Sequence, residues 1–270
     1  MRTKRIAFIG AGQMAEALIR GILNVGLRRP EQIVAADIRP ERLQEIGRTF
    51  EAVQAESNAE AAQVAEIIIL AVKPQDASEA LSSIAPVVDE HHLLISIAAG
   101  LTLETIEASL KHRVRCVRAM PNTPALVGAG ACALAGGTWA TEKDLREVTV
   151  LFEAVGSVVR VPESLLDAVT GLSGSGPAYI LMVIEALADA GVRQGIPRSE
   201  AQLLAAQTVY GTAKLVLESG EHPAVLRDNV ASPGGTTIAG LAALEARGLR
   251  AAFMEAVAAA TRRSKELGLF

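Results

Sequence analysis

The chain has 270 residues, half of them hydrophobic and 3% aromatic, with a formal net charge of −4. So apolar a chain is not disordered, and its length suits two domains of roughly 100–200 residues each. Few aromatic faces and no block of Lys or Arg speak against a nucleic-acid partner. The basic start at residues 1–5 runs into a short apolar stretch closed by Gly10, not into the long apolar segment of a signal peptide. No run approaching the roughly 18–20 apolar residues of a membrane span is expected. The run at residues 65–72 contains Glu66 and ends at Lys73-Pro74. Cys116 and Cys132 form no CxxC pair, and none of the four histidines pairs with another at i, i+4. Buried thiols and no metal site are expected, in a soluble protein of the cytoplasm.

In chain order, residues 5–9 form a short apolar strand. Residues 12–25 have helical spacing, with Met14, Ala17, Leu18, Gly21 and Ile22 on one side. A second strand is expected at 33–36. A polar-faced helix follows from Arg39, with Pro40 in its first turn, where a missing N–H costs nothing. Residues 67–72 are continuously apolar, as in a strand buried on both faces. Further strands are expected at 93–97 and 114–117, and the last at 158–161, ended by Pro162. Strand–helix alternation of this kind predicts a parallel sheet covered by helices.

After residue 161 the alternation stops. Long apolar helices are expected at 177–193, 200–218 and 249–267. A helix apolar nearly all round must be buried by something, and about 110 residues bury only part of such a surface. A second copy packed against it, in a symmetric dimer, is the expected solution. The domains are therefore set at residues 1–161 and 162–270.

The segment Gly10-Ala11-Gly12-Gln13-Met14-Ala15 follows a strand and opens a helix, and it fits G-x-G-x-x-A. The first Gly makes a tight turn, the second lets backbone approach a diphosphate, and the small third residue lets helix and strand pack closely. N–H groups at the helix start then face an anion. With strand, loop, helix and second strand in order, residues 1–161 resemble a Rossmann dinucleotide-binding domain, with Gly10, Gly12, Gln13 and Met14 at the cofactor. Asp37 ends the second strand, where an acid often bonds the ribose of NAD. Arg39 suits the 2′-phosphate of NADP. These two residues leave NADPH or NADH open. Val72, Lys73 and Pro74 lie at the carboxyl end of a buried strand, where open α/β sheets bind ligands, so they too are candidate cofactor contacts.

Three later segments stand out. At 118–124, Pro121 and Pro124 stiffen a loop that presents Asn122, a further cofactor candidate, and Thr123. Residues 171–177 carry three glycines before the long helix, with Ser175 as a plausible N-cap; a hinge and a binding loop are equal readings. At 231–240, Ser232, Pro233, Gly234, Gly235, Thr236 and Thr237 precede an apolar helix whose start suits a carboxylate.

At these motifs the chain resembles the pyrroline-5-carboxylate reductases. The resemblance runs the full length and is most specific at Ser232-Pro233-Gly234-Gly235-Thr236-Thr237, which is similar to the family's signature. It implies an α/β chain with an N-terminal Rossmann domain and an all-α C-terminal dimerisation domain. The implied activity is reduction of L-1-pyrroline-5-carboxylate to L-proline, the last step of proline biosynthesis, with NADPH or NADH. Family members commonly prefer NADPH. Ser232, Gly234, Gly235, Thr236 and Thr237 would hold the substrate carboxylate, with Thr237 near the ring nitrogen as the catalytic candidate. The resemblance further implies a homodimer of interlocked helical domains, each active site drawing on a neighbour's helices, and larger rings, commonly decamers.

A β-hydroxyacid dehydrogenase is the competing enzyme. Its helix lysine would be Lys214, but Leu215, Val216, Leu217 and Glu218 follow instead of the Lys-x-x-Asn-Asn pattern. A dinucleotide-sensing regulator is the non-enzymatic alternative, and a second anion-binding loop argues against it.

Overall fold

The computed structural model describes residues 4–268. Eight strands form one sheet: β1 (Ile6–Ile9), β2 (Ile33–Ala36), β3 (Val53–Gln54), β4 (Ile67–Leu70), β5 (Leu93–Ser96), β6 (Arg115–Met120), β7 (Gly130–Gly136) and β8 (Gly156–Arg160). Their order is β3-β2-β1-β4-β5-β6-β7-β8. Pairing is parallel from β3 through to β6; β7 runs antiparallel to β6, and β8 is parallel to β7.

The central strands read IAFI, IVAA, IIIL and LLIS, and every residue in them is buried. Such runs suit strands covered on both faces. Because successive side chains alternate, Ile6 and Phe8 join one core with Leu18, Ile19, Ile22 and Phe152. Ala7 and Ile9 join the other, with Leu81, Ile84 and Ile106. In register, Ile9 stands opposite Ala36 on one side and Leu70 on the other. The chain leaves β1 toward β2 and β3, then returns to place β4 on the opposite flank. This reversal of strand order puts a crevice at the carboxyl ends of β1 and β4, the usual ligand position in open α/β sheets.

Two compact units divide the chain. One extends through Ser175 and takes up the chain again at Ala259; the other is Gly176–Ala258. The strand alternation ends at residue 161, but residues 162–175 stay with the first unit, and Leu166 is 1% exposed in its core. In the second unit, helices Gly176–Arg193 and Arg198–Ser219 pack on each other through Ala188, Ala201 and Ala205. Helices Pro223–Asn229 and Thr236–Ala246 follow. Helix Leu249–Leu267 begins in the second unit and ends in the first.

Several elements differ from expectation. Residues 171–177 are not a loop: Thr170–Gly174 makes a wide helical turn, and Ser175 N–H donates to the Thr170 carbonyl at 2.8 Å. Ser175 has helical dihedrals, φ −86° and ψ −21°, so it continues the helical run instead of capping it. Arg118, Ala119 and Met120 belong to β6, so the loop after it begins at Pro121. The stretch Glu163–Arg193 is long and apolar enough, by length and composition, to cross a membrane. The expectation that no run approaches a membrane span does not hold for this stretch, in which Glu185 and Asp189 interrupt an otherwise apolar helix. Within the chain it is poorly covered, and Met182 is 70% exposed.

Candidate active site

Gly10 turns at φ +92°, a left-handed conformation that side chains rarely adopt. A Cβ there would stand 2.7 Å from the Ala71 carbonyl oxygen at the end of β4. Gly10 is thus required by the fold. Gly12 is different. It precedes helix Gln13–Asn24 with φ −70° and ψ −175°, and a Cβ on it would meet nothing within 4 Å. No side chain caps this helix start. Open space over a glycine, in front of uncapped N–H groups, is a cradle for an anion. Gln13 is exposed and Met14 half-buried beside it. These residues fit the diphosphate of a dinucleotide.

Asp37 follows β2 and points back toward this loop. Its Oδ2 accepts from Ala11 N–H at 2.8 Å. Its Oδ1 accepts from Arg39 N–H at 2.9 Å and from Arg39 Nε at 3.0 Å, and Arg39 Nη2 reaches Oδ2 at 3.2 Å. Burial pushes the Asp37 carboxyl up, but the Arg39 guanidinium, with the Ala11 and Arg39 N–H groups, outweighs it and holds the carboxyl below its ordinary value. The Asp37 side chain is 5% exposed and that of Arg39 59%. Asp37 is therefore turned inward, and Arg39 stands outside it.

Arg42, which sequence reasoning did not single out, completes the arrangement. It lies in helix Pro40–Phe50 and donates from Nε to the Ala11 carbonyl at 2.6 Å. Its remaining nitrogens meet Glu16, on the first helix, and Glu45. Acidic Glu16 beside the glycine loop and basic Arg42 one turn into the next helix are the sequence signal that was present.

Val72, Lys73 and Pro74 follow β4; Val72 is half-buried, Lys73 and Pro74 exposed. Pro74 opens a short turn, Pro74–Asp76, preceded by Lys73 in extended conformation. These residues stand at the switch-point crevice, as expected from their place after the strand. Asn122 faces inward. Its Nδ2 donates to the Ser173 carbonyl at 3.0 Å and its Oδ1 accepts from Ala131 N–H at 2.8 Å. Its side chain thus ties the loop after β6 to the helical turn at 170–174 and to β7.

In the second unit, Gly235 N–H donates to the Ser232 carbonyl at 3.0 Å, closing a turn in which Gly234 has φ +67°. Gly235 stands at the N-terminus of helix Thr236–Ala246, which has no side-chain cap. A Cβ on Gly235 would fall 2.2 Å from Ser232 Oγ, so the hydroxyl lies directly over this glycine. Ser232, Gly234 and Thr236 are exposed, Gly235 and Thr237 half-buried. The loop thus gathers hydroxyls and N–H groups at a positive helix end, with no acid or His among residues 231–237 themselves.

Cys116 and Cys132 are buried free thiols. Burial pushes both up to about 12, which leaves them inert as nucleophiles. Among the described residues, no group of three His, Cys, Asp or Glu is gathered. Lys214 lies within 3.6 Å of Glu218 on an exposed helix face, an ordinary i, i+4 pair.

Two family models match the chain: "Pyrroline-5-carboxylate reductase dimerisation" over residues 163–267 and "NADP oxidoreductase coenzyme F420-dependent" over residues 5–100. A pyrroline-5-carboxylate reductase of Methanosarcina acetivorans is 49% identical over 268 residues, covering 99% of each chain. Among solved structures, a pyrroline-5-carboxylate reductase of Coxiella burnetii superposes with a TM-score of 0.94 at 36% identity, over 98% of this chain and 99% of that one. The Plasmodium falciparum pyrroline carboxylate reductase, solved with NADP bound, gives 0.88 at 34% identity over 99% of each chain. With relatives this similar along its whole length, the chain belongs to the pyrroline-5-carboxylate reductase family.

Proposed function

We propose that this chain reduces L-1-pyrroline-5-carboxylate to L-proline with NADPH as its preferred cofactor, the last step of proline biosynthesis. One observation carries the reading: a dinucleotide cradle at Gly12 and a carboxylate cradle at Ser232–Thr237 occur in one chain that matches reductases of this substrate over its full length. The bound cofactor supplies a hydride to the imine carbon; with one proton at nitrogen, the substrate and NADPH become proline and NADP⁺. A cyclic imine is protonated in solution, and the resulting iminium is already an electrophile, so no strong general acid is needed from the protein.

The residues then bind and orient. Gly10, Gly12, Gln13 and Met14 hold the diphosphate; Asp37 and Arg39 stand at the adenosine end. Val72, Lys73 and Pro74 line the crevice after β4, and Asn122 fixes the loop after β6. Ser232, Gly234, Gly235 and Thr236 take the carboxylate through N–H groups and hydroxyls, and Thr237 orients the ring nitrogen. Correct placement of reactants supplies a large share of rate in such reactions.

By sequence, 1–161 is assigned to the Rossmann domain and 162–270 to the helical substrate and dimerisation region, whose family model begins at residue 163, although residues 162–175 pack with the first compact unit. The protein works in the cytoplasm as a homodimer through its C-terminal helices, and the dimers assemble into decamers. Neither nucleic acid nor membrane is a partner. Exposed apolar residues on those helices support the dimer: Leu217 is 79% and Met254 75% exposed in the single chain, which an obligate interface would cover.

Following NADPH and NADH oxidation separately with pyrroline-5-carboxylate tests the function. Faster turnover with NADPH is expected, and no activity with either would overturn it.

A further inference from the structure

Asp37 occupies the position from which an acid usually meets the adenosine ribose. In this chain its two oxygens already accept four hydrogen bonds, from Ala11 N–H, Arg39 N–H, Arg39 Nε and Arg39 Nη2. An ionised carboxylate offers about four acceptor sites. None remains for a ribose diol unless the bonds to the glycine loop or to Arg39 are given up. The other backbone group of the same residue, in the next peptide unit, is held as firmly. Ala11 is fully buried, and its carbonyl accepts from Arg42 Nε at 2.6 Å. Glu16 and Glu45 hold the Arg42 guanidinium in turn, and the Arg42 side chain is only 15% exposed.

We propose that Asp37 and Arg42 are positioning residues that grip Ala11 at its N–H and its carbonyl. Their grip sets the Gly10–Gly12 backbone for the cofactor diphosphate, and Asp37 does not bind the ribose. The inference rests on the dinucleotide-binding reading above and deepens it. Two opposite charges drawn from different elements fix one residue in the middle of the loop. The N–H groups after Gly12 are thereby oriented before the ligand arrives, so less ordering is needed on binding. The inward commitment of Asp37 has a second effect. Its charge is matched by Arg39, whose side chain remains 59% exposed. An acid that would repel a 2′-phosphate is neutralised, and the group left facing outward is a cation that accepts one.

Dissociation constants of NADPH and NADH, measured by calorimetry on the full-length protein and its variants, test this without reference to turnover. In Arg42→Gln both constants should rise about tenfold and by the same factor, equivalent to roughly 1.4 kcal/mol and close to one hydrogen bond to a charged group. Arg42→Lys, which keeps a donor for the Ala11 carbonyl, should recover part of the affinity. In Asp37→Ala, NADPH should weaken at least as much as NADH, because both the loop and Arg39 lose their anchor. Selective loss of NADH in Asp37→Ala would show a ribose acceptor and overturn the proposal. So would wild-type affinity for both cofactors in Arg42→Gln. Should Arg42→Gln fail to fold, Glu16→Gln removes the counter-ion of Arg42 and is read the same way: both constants raised supports the grip, both unchanged overturns it. A wild-type protein that binds neither dinucleotide would overturn the proposed function as well. Binding with unresponsive variants would overturn this inference alone.

Discussion

Asn122 and Ser173 are joined by a side-chain hydrogen bond to backbone, 3.0 Å from Nδ2 to the carbonyl oxygen. The same amide accepts from Ala131 N–H at 2.8 Å. One largely buried side chain, 9% exposed, therefore holds three separate segments. Asn122→Ala would leave a donor and an acceptor without partners. Each buried orphan costs about 1–3 kcal/mol, so a stability loss of about 2–6 kcal/mol is expected in urea unfolding. Asn122→Asp retains the acceptor but turns a carboxylate oxygen on the Ser173 carbonyl, and at neutral pH should lose at least as much. Wild-type stability in Asn122→Ala would show that neither bond matters.

Gly10 and Gly12 should respond oppositely to a methyl group. Gly10→Ala forces a left-handed backbone on alanine and drives Cβ against the Ala71 carbonyl. Strain of this kind costs of order 1–3 kcal/mol, so the unfolding midpoint should drop whether or not ligand is present. Gly12→Ala meets open space and should leave the ligand-free protein as stable as wild type. Its methyl group instead occupies ground meant for the diphosphate, and NADPH affinity should fall at least tenfold, about 1.4 kcal/mol. Loss of affinity without loss of stability is the signature to look for.

The contrast also marks what the sequence could convey. The runs at Ile6, Ile33 and Ile67 were legible because strands buried on both faces leave little room for polar residues. Helix Leu249–Leu267 was legible because its apolar spacing is long and uninterrupted by Gly or Pro. β3 was not, since Val53–Gln54 is two exposed residues at a sheet edge. β7 reads GACALAG, small residues with little strand preference, and only pairing with β6 and β8 makes it a strand. Gly171, Gly174 and Gly176 suggested a loop, yet that segment is helical, because tertiary packing overrides weak local propensity. Within the site, the glycine motif and the Ser232–Thr237 segment announced themselves by residue type. The inward turn of Asp37 and the reach of Arg42 to Ala11 did not. A helix arginine 31 positions from its partner looks like any solvated cation until the chain is folded.

Asp144 gives the fold a defined acid limb. Its side chain is 2% exposed and receives Arg115 Nη1 at 2.6 Å. Burial pushes the carboxyl up, but Thr141, through hydroxyl and backbone N–H, together with Arg115 and Lys4, outweighs this and lowers it. A carboxyl lowered in the folded state adds stability above its unfolded value, about 3.9 for aspartate, and loses it as pH falls toward the folded value. Unfolding free energy should therefore be insensitive to this group above about pH 5 and decline below about pH 4. Asp144→Asn should lower stability at neutral pH and flatten the decline. An identical acid slope in the variant would assign the limb to other carboxyls, Asp37 first among them, since it is lowered as well.

Thr237 lies in the first turn of helix Thr236–Ala246, half-buried, at the end of a segment, 231–237, that contains no acid or His. Its hydroxyl is thus the only side-chain group beyond Ser232 and Thr236 that this loop offers a substrate. Alanine favours helix by a few tenths of a kcal/mol over threonine, so Thr237→Ala should fold at least as stably as wild type. Loss of one orienting hydrogen bond in a desolvated site typically costs about 2–4 kcal/mol of transition-state stabilisation, and kcat/KM should fall by roughly 30- to 1,000-fold. Thr237→Ser keeps the hydroxyl and should restore most of the rate. Thr237→Val keeps the shape and should not. With NADPH affinity measured alongside and unchanged, the defect belongs to the substrate. If Thr237→Val turns over like wild type, the backbone N–H groups after Gly235 hold the substrate without it.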